Sequence, residues 1–265
     1  LSRPDGGPDH PTLRQPGWLL WSTLPALLLV VAFGLWLHLA RVGPTPIDRS
    51  WLASVGLDQD SVPYWISVVL AEVGGGTGVV ICAALLTAVF VLARRFRAAA
   101  YLATTMLAGI ATSEILKAIV TRLRPTDQLY DSLGFSYPSG HSMGAAALAM
   151  SLAIIAARSH ALRVDRADRA DAAHAADAGD VVDTGAVVDA ATPPPRRLRF
   201  HWSFVLAAVW ILTMMWSRTA LQVHWLTDTL AGAFIGIAVA VLVDEFWSLI
   251  ARRTRSPRLA SWLAG

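Results

Sequence analysis

The chain has 265 residues, 55% of them hydrophobic and only 15% charged, with a mean hydropathy of +0.50. This excludes an ordinary soluble domain and predicts an all-α, polytopic membrane protein. The formal charge of +3 and pI near 9.5 do not argue for a nucleic-acid partner, because the arginines stand beside apolar spans, where topology accounts for them.

Residues 1–16 hold four prolines and read as a mobile tail. Six apolar runs follow, at 17–40, 75–93, 98–121, 140–157, 202–221 and 225–250, each close to the roughly 20 residues that a bilayer-crossing helix needs. The first run lacks a small-residue cleavage site, so it reads as a retained helix and not a signal peptide. Between the first two spans, Val62–Val73 predicts a short interfacial or extended helix, and Gly74-Gly75-Gly76 marks a flexible or closely packed point. Cys82 lies inside an apolar run and reads as packing. Residues 158–200 alternate Ala, Asp and Arg and include Pro193-Pro194-Pro195. With so little apolar surface to bury, they read as a disordered loop. The chain thus divides into the tail, four helices over 17–157, the loop, two helices over 201–252, and a C-terminal tail at 253–265.

Most of the 22 basic residues fall on one side if the N-terminus is inside: Arg3, Arg14, Arg94, Arg95, Arg97, those of the 158–200 loop, Arg252, and those of the C-terminal tail. That satisfies the positive-inside rule with both termini cytoplasmic. The exceptions on the outer side are Arg41, Arg49, Lys117, Arg122, Arg124 and Arg218, and most of them sit in or beside three short clusters.

The first cluster runs from Lys117, the one lysine in the chain, to Arg124-Pro125. The spacing is two helical turns, so both cations can share a face if the third span continues that far, with Pro125 ending it. Two such cations can grip the non-bridging oxygens of one phosphate. Snorkelling is the ordinary alternative for a lone basic residue, and Arg122 reads that way. The second cluster, Pro138-Ser139-Gly140-His141, is a helix start with Ser139 as N-cap. Free N–H groups there favour an anion, Gly140 permits close approach, and His141 stands where it can give a proton to a leaving oxygen. An ordinary capped helix explains the same residues. The third cluster is Ser217-Arg218, His224 and Asp228. His224 and Asp228 are four apart, which on a helix sets the carboxylate beside the imidazole and frees the other ring nitrogen for attack. A structural His–Asp hydrogen bond is the plain alternative. Zinc on His141, His224 and Asp228 is a further one, opposed by the surrounding cations.

Taken together, K-x6-R-P, then P-S-G-H, then S-R-x5-H-x3-D closely resembles the signature of the type 2 phosphatidic acid phosphatase superfamily, over roughly residues 62–250. The resemblance implies a bundle of six transmembrane helices with an interfacial active site. It implies that His224 is the nucleophile and forms a phosphohistidine, that His141 is the general acid, and that Asp228 orients His224. It further implies that Lys117, Arg124, Ser139, Gly140 and Arg218 bind the phosphoryl group, and that neither metal nor cofactor is needed.

The expected activity is therefore lipid phosphate hydrolysis at the outer face of a membrane. By the resemblance, the substrates are polyprenyl mono- or diphosphates, phosphatidic acid or phosphatidylglycerol phosphate. Heavy Ala and Arg use with a single lysine suggests a bacterial inner membrane and a polyprenyl carrier of envelope synthesis. Two alternatives stay open: a phosphotransferase on the same scaffold, and a lipid or anion transporter using the basic cluster as a binding site. The related haloperoxidases are soluble, unlike this chain.

Overall fold

The computed structural model describes residues 15–177, 198 and 200–254, and among these there are helices and loops but no strand. The helices are α1 (Gly17–Leu39), α2 (Pro46–Val55), α3 (Val62–Gly74), α4 (Gly76–Leu92), α5 (Phe96–Val120), α6 (Gly140–Asp177), α7 (Ser203–Ala220) and α8 (Leu226–Arg253). Five are long and apolar enough to cross a membrane. The α3–α4 pair, bent by 52°, makes a sixth span if counted as one. The chain is a multi-pass membrane protein. Its outer surface is correspondingly greasy: Trp18, Trp21, Leu28, Leu85 and Leu212 are exposed on faces that lipid would cover.

The second span departs from the single straight helix expected over 75–93. α3 and α4 meet at Gly75 and Gly76, and Gly76 has φ +46, in the left-handed region. A side chain at Gly75 would overlap the ring of His141. The glycine run therefore breaks the span and lets its backbone lie against a site residue.

Loop helices are fixed by caps. Thr45 accepts from the Asp48 N–H at 3.3 Å while Asp48 accepts from the Thr45 N–H at 3.1 Å, a capping box that starts α2 at Pro46. Ser61 accepts from the Tyr64 N–H to start α3. α5 stops at Val120 because Thr121 turns left-handed at φ 53 and returns its N–H to the Lys117 carbonyl. It does not continue to Pro125, so Lys117 and Arg124 do not share a helix face.

α6 and α8 form the centre of the bundle. Gly232 and Gly236 of α8 face α6 so closely that side chains there would collide with the Ser139 carbonyl and with the Met143 and Ala147 backbone. Small residues one turn apart thus bring the two backbones together. Around this seam pack Leu102, Met106, Tyr137, Met143 and Ile235. Tyr137 donates to the Val30 carbonyl at 2.7 Å and Tyr101 to the Ala240 carbonyl at 3.0 Å, so the buried phenols are paired.

α6 runs to Asp177, about 57 Å at 1.5 Å per residue. Residues 158–177 are therefore helical where their composition suggested a loop. Alanine has the highest helix propensity, and Asp165 and Arg169 pair at 2.6 Å one turn apart. Positions 178–197 and 199 of the predicted loop, and residues 1–14 and 255–265 of the predicted tails, lie outside the described residues.

Candidate active site

The three clusters come from the C-terminal end of α5 and the loop after it, the N-terminus of α6, and the α7–α8 turn, and they meet at one end of the bundle. A cavity of about 480 Å³ opens there, lined by Lys117, Arg124, Gly140, His141 and His224 together with the α3–α4 bend. Ser139, Arg218 and Asp228, all fully buried, stand behind these residues and do not line it.

Ser139 caps α6, its Oγ accepting from the Ser142 N–H at 3.3 Å, as expected of an N-cap. Its own N–H donates to the Asp228 carbonyl at 3.0 Å, which ties the start of α6 to α8. Gly140 lies against the Lys117 ammonium: a Cβ built there would be 3.2 Å from Nζ. Lys117 is steadied by Glu114 at 2.7 Å. His141 follows in the first turn, half-buried, its ring against Gly75.

Arg124 reaches the site from the loop. Its guanidinium donates to the Gly134 carbonyl at 3.0 Å, Leu133 at 3.1 Å and Val223 at 2.7 Å, and Nη1 also lies 3.0 Å from His224 Nε2. A guanidinium can only donate, so Nε2 accepts and the ring proton belongs on Nδ1. Arg124 is partly buried, and desolvation lowers its pKa, opposed by the charge of Asp228.

His224 does not lie on a helix with Asp228. α8 begins at Leu226, so His224 precedes the N-cap Trp225 and Asp228 is the third helical residue. The two still face each other, Nδ1 to Oδ2 at 3.6 Å, which is beyond a hydrogen bond. What holds Asp228 is its other contacts: the Trp225 N–H at 2.9 Å and Arg122 Nη1 at 2.5 Å. Burial, and then the charges of Arg124, Arg218 and Lys117, keep the His224 imidazole well below its ordinary pKa, with the Ser136 backbone opposing. The ring is neutral.

Arg122 is not a snorkelling residue. It is 6% exposed and its guanidinium joins Asp228 at 2.5 Å, Asp48 at 2.6 Å and Thr227 Oγ1 at 2.8 Å. Asp48, fully buried in α2, also accepts from the Thr227 N–H at 2.9 Å. Burial alone would raise the Asp48 carboxyl. The Thr227 N–H and Arg122 more than offset that and leave it below the usual carboxylate range. Sequence reasoning missed Asp48, and the only local signal at that position is the Thr45 capping box.

Arg218 is buried with Nη2 3.3 Å from Ser132 Oγ and its guanidinium 5.7 Å from the Tyr130 ring centre. Its Nε and Nη1 have no hydrogen-bond partner. Orphaned charged donors are costly, and a functional site is one of the few explanations for them. Tyr130 in turn bonds Glu72, bridging the loop to the end of α3 at the cavity rim.

Among the described residues no three His, Cys, Asp or Glu side chains gather in a metal-holding group. The chemistry on offer is thus an anion cradle of fixed cations and a helix N-terminus around a neutral, carboxylate-backed imidazole.

No curated protein matches the chain. Among solved structures, the fold is similar to that of a transmembrane PAP2-type phosphatidylglycerolphosphate phosphatase from Bacillus subtilis, with a TM-score of 0.63 at 18% identity, over 90% of this chain and 98% of that one. The PAP2 superfamily profile matches residues 97–250, which hold all three clusters. The chain belongs to the PAP2 superfamily.

Proposed function

We propose that the chain is an integral membrane lipid phosphatase working through a phosphohistidine on His224. The observation that carries this reading is the convergence of His224, His141, Lys117 and Arg124 on one cavity. The same cavity is also lined by Val79, Val80, Ile110 and Met143, so a polar head and an apolar tail each find matching residues.

In the first step His224 Nε2 attacks phosphorus. The new P–N bond forms as the P–O bond to the lipid breaks, and His141 gives its proton to the departing oxygen. Arg124 must leave Nε2 for this, and the incoming phosphoryl oxygen is a stronger acceptor for it. Lys117 and the N–H groups at Gly140 and His141, on the helix end that Ser139 caps, neutralise the remaining oxygens, and Arg218 adds its charge from behind the cavity wall. In the second step His141 takes a proton from water, the water attacks phosphorus, and the P–N bond breaks to release phosphate and neutral His224. Asp228, held by Arg122, favours the imidazolium-like ring of the intermediate. No metal enters any step.

Arg94, Arg95, Arg97, Arg158, Arg252 and Arg253 lie toward the ends of the spans opposite the site. The positive-inside rule then supports an outward-facing site in a bacterial inner membrane, with cytoplasmic termini. The proposed substrates are those that the family resemblance implies: phosphatidylglycerol phosphate, phosphatidic acid and polyprenyl mono- or diphosphates.

The test is phosphate release by detergent-purified protein across those lipids, with EDTA present. Activity is expected with wild type and absent in His224→Ala. Release that requires added divalent metal, or that survives in His224→Ala, overturns the reading.

A further inference from the structure

At the other end of the bundle a second cavity, of about 350 Å³, is lined by Arg95, Arg97, Arg158, Arg163 and Arg166, with Asp244 as the one carboxylate in its described lining. Arg158 stands about 27 Å along α6 from Gly140 by the helical rise, close to the roughly 30 Å thickness of a hydrocarbon core. The cavity therefore opens at the interface opposite the catalytic one.

The positive-inside rule accounts for arginines on this side but not for their convergence. Arg158 is buried and forks onto Asp244, Nε to Oδ1 at 2.8 Å and Nη2 to Oδ2 at 2.6 Å. Gln15 donates to the same carboxylate at 2.6 Å. Asp244 is thereby largely used up. Arg97 Nη2 is 3.7 Å from it and bonds Ser248 Oγ at 2.9 Å, while Arg97 Nε is buried with no hydrogen-bond partner. Arg95 reaches in from the start of α5 and bonds Ser159. Ser159, Arg163 and Arg166 follow at one-turn spacings on α6, so the cations form a stripe along one helix facing another. Ile155, Ala98 and Leu162 supply an apolar floor.

An excess of planar guanidiniums around a concave, partly apolar basin at headgroup depth is chemistry for a phosphate carried by an amphiphile. We propose that this basin binds a phosphate group, presented by an anionic phospholipid of the leaflet opposite the active site or as a free ion, independently of the reaction at His224.

The test titrates full-length detergent-purified protein with phosphatidylglycerol, phosphatidylcholine or inorganic phosphate, reading bound lipid by native mass spectrometry and phosphate by thermal shift. Arg163→Gln/Arg166→Gln alters exposed positions and spares the fold. Arg94→Gln/Arg253→Gln removes the same charge from the same end outside the cavity. Both leave the His224 site intact, so its contribution cancels. Phosphatidylglycerol binding is expected to weaken about ten-fold in the first variant and less than about two-fold in the second, in line with the loss of charge-assisted hydrogen bonds and not of surface potential alone. A phosphate-induced shift lost in the first variant alone assigns the free ion as a sufficient ligand, and its absence beside lipid binding assigns the lipid. Equal weakening in both variants, unchanged binding in the first, or equal binding of phosphatidylcholine overturns the proposal.

Discussion

Arg124 and His224 meet at 3.0 Å, Nη1 to Nε2, and the direction of that bond sets the resting state of the ring. The donor occupies the lone pair that attack on phosphorus needs. Four backbone carbonyls, those of Leu133, Gly134, Phe135 and Val223, hold the same guanidinium beside the ring, and in the proposed reaction Arg124 passes from Nε2 to the phosphoryl oxygens. Arg124→Gln is expected to lower kcat/KM for phosphate release by about 10²–10³-fold, the usual cost of one oxyanion donor. His224→Ala should lower it further and abolish acid-labile labelling of the protein by radioactive substrate. Retained labelling in His224→Ala would move the nucleophile elsewhere.

The Arg122 guanidinium sits between two buried carboxylates, at 2.6 Å from Asp48 and 2.5 Å from Asp228. Removing it leaves uncompensated charge in the interior, so Arg122→Ala is expected to cost about 3–5 kcal/mol. Adding Asp48→Asn should recover part of that loss, since the second change removes one of the stranded charges. Thermal unfolding of the two single variants and the double variant measures the coupling, and strict additivity would contradict the bridge.

Acid should weaken the fold through His224. Its folded-state pKa lies well below 6.5, so between those two values the unfolded chain binds a proton that the folded chain does not. The contribution of this group is complete above about pH 6.5 and is lost as pH falls below it, by up to about 1.4 kcal/mol per pH unit. The melting temperature of wild type should therefore drop more between about pH 7.5 and about pH 5 than that of His224→Gln. The same depression keeps the nucleophile neutral in acid, so the acidic limb of the rate attributable to His224 lies below the ordinary imidazole range. Parallel melting curves for the two proteins would contradict the buried neutral ring.

Gly75 backs the His141 ring so closely that a methyl group there would overlap it. Gly75→Ala is expected to displace the ring and lower kcat by about 10–100-fold, as small misplacements of a catalytic group do, with a smaller change in KM. Substrates with a good leaving group need less protonation, so p-nitrophenyl phosphate hydrolysis should suffer less. An equal loss with both substrates would argue for general unfolding.

The helices crossing the membrane were legible because apolar length announces them, and α1, α4, α5, α7 and α8 begin and end within a few residues of the runs that predict them. The cluster residues were legible as charge that a membrane span would not hold idly. What sequence could not show was how they are held. Arg122 looked like a residue reaching for headgroups because its two carboxylates lie at positions 48 and 228, and long-range pairing leaves no periodic trace. Asp48 was hidden by a sufficient local explanation, its capping box. His224 and Asp228 suggested a helical pair from their spacing, yet His224 sits in the turn before α8 and faces Asp228 in its first turn. In α6 the polar composition beyond residue 157 argued against burial and was silent about helicity, since alanine-rich segments hold a helix without a core.

Asp48 precedes residue 97, where the superfamily match begins. A truncated fragment holding every signature residue would still lack half of the clamp on Arg122, and the guanidinium would have Asp228 as its sole acidic neighbour of the two. The buried ion cluster thus extends beyond the residues that match the superfamily, and a fragment meant to keep it whole has to include α2.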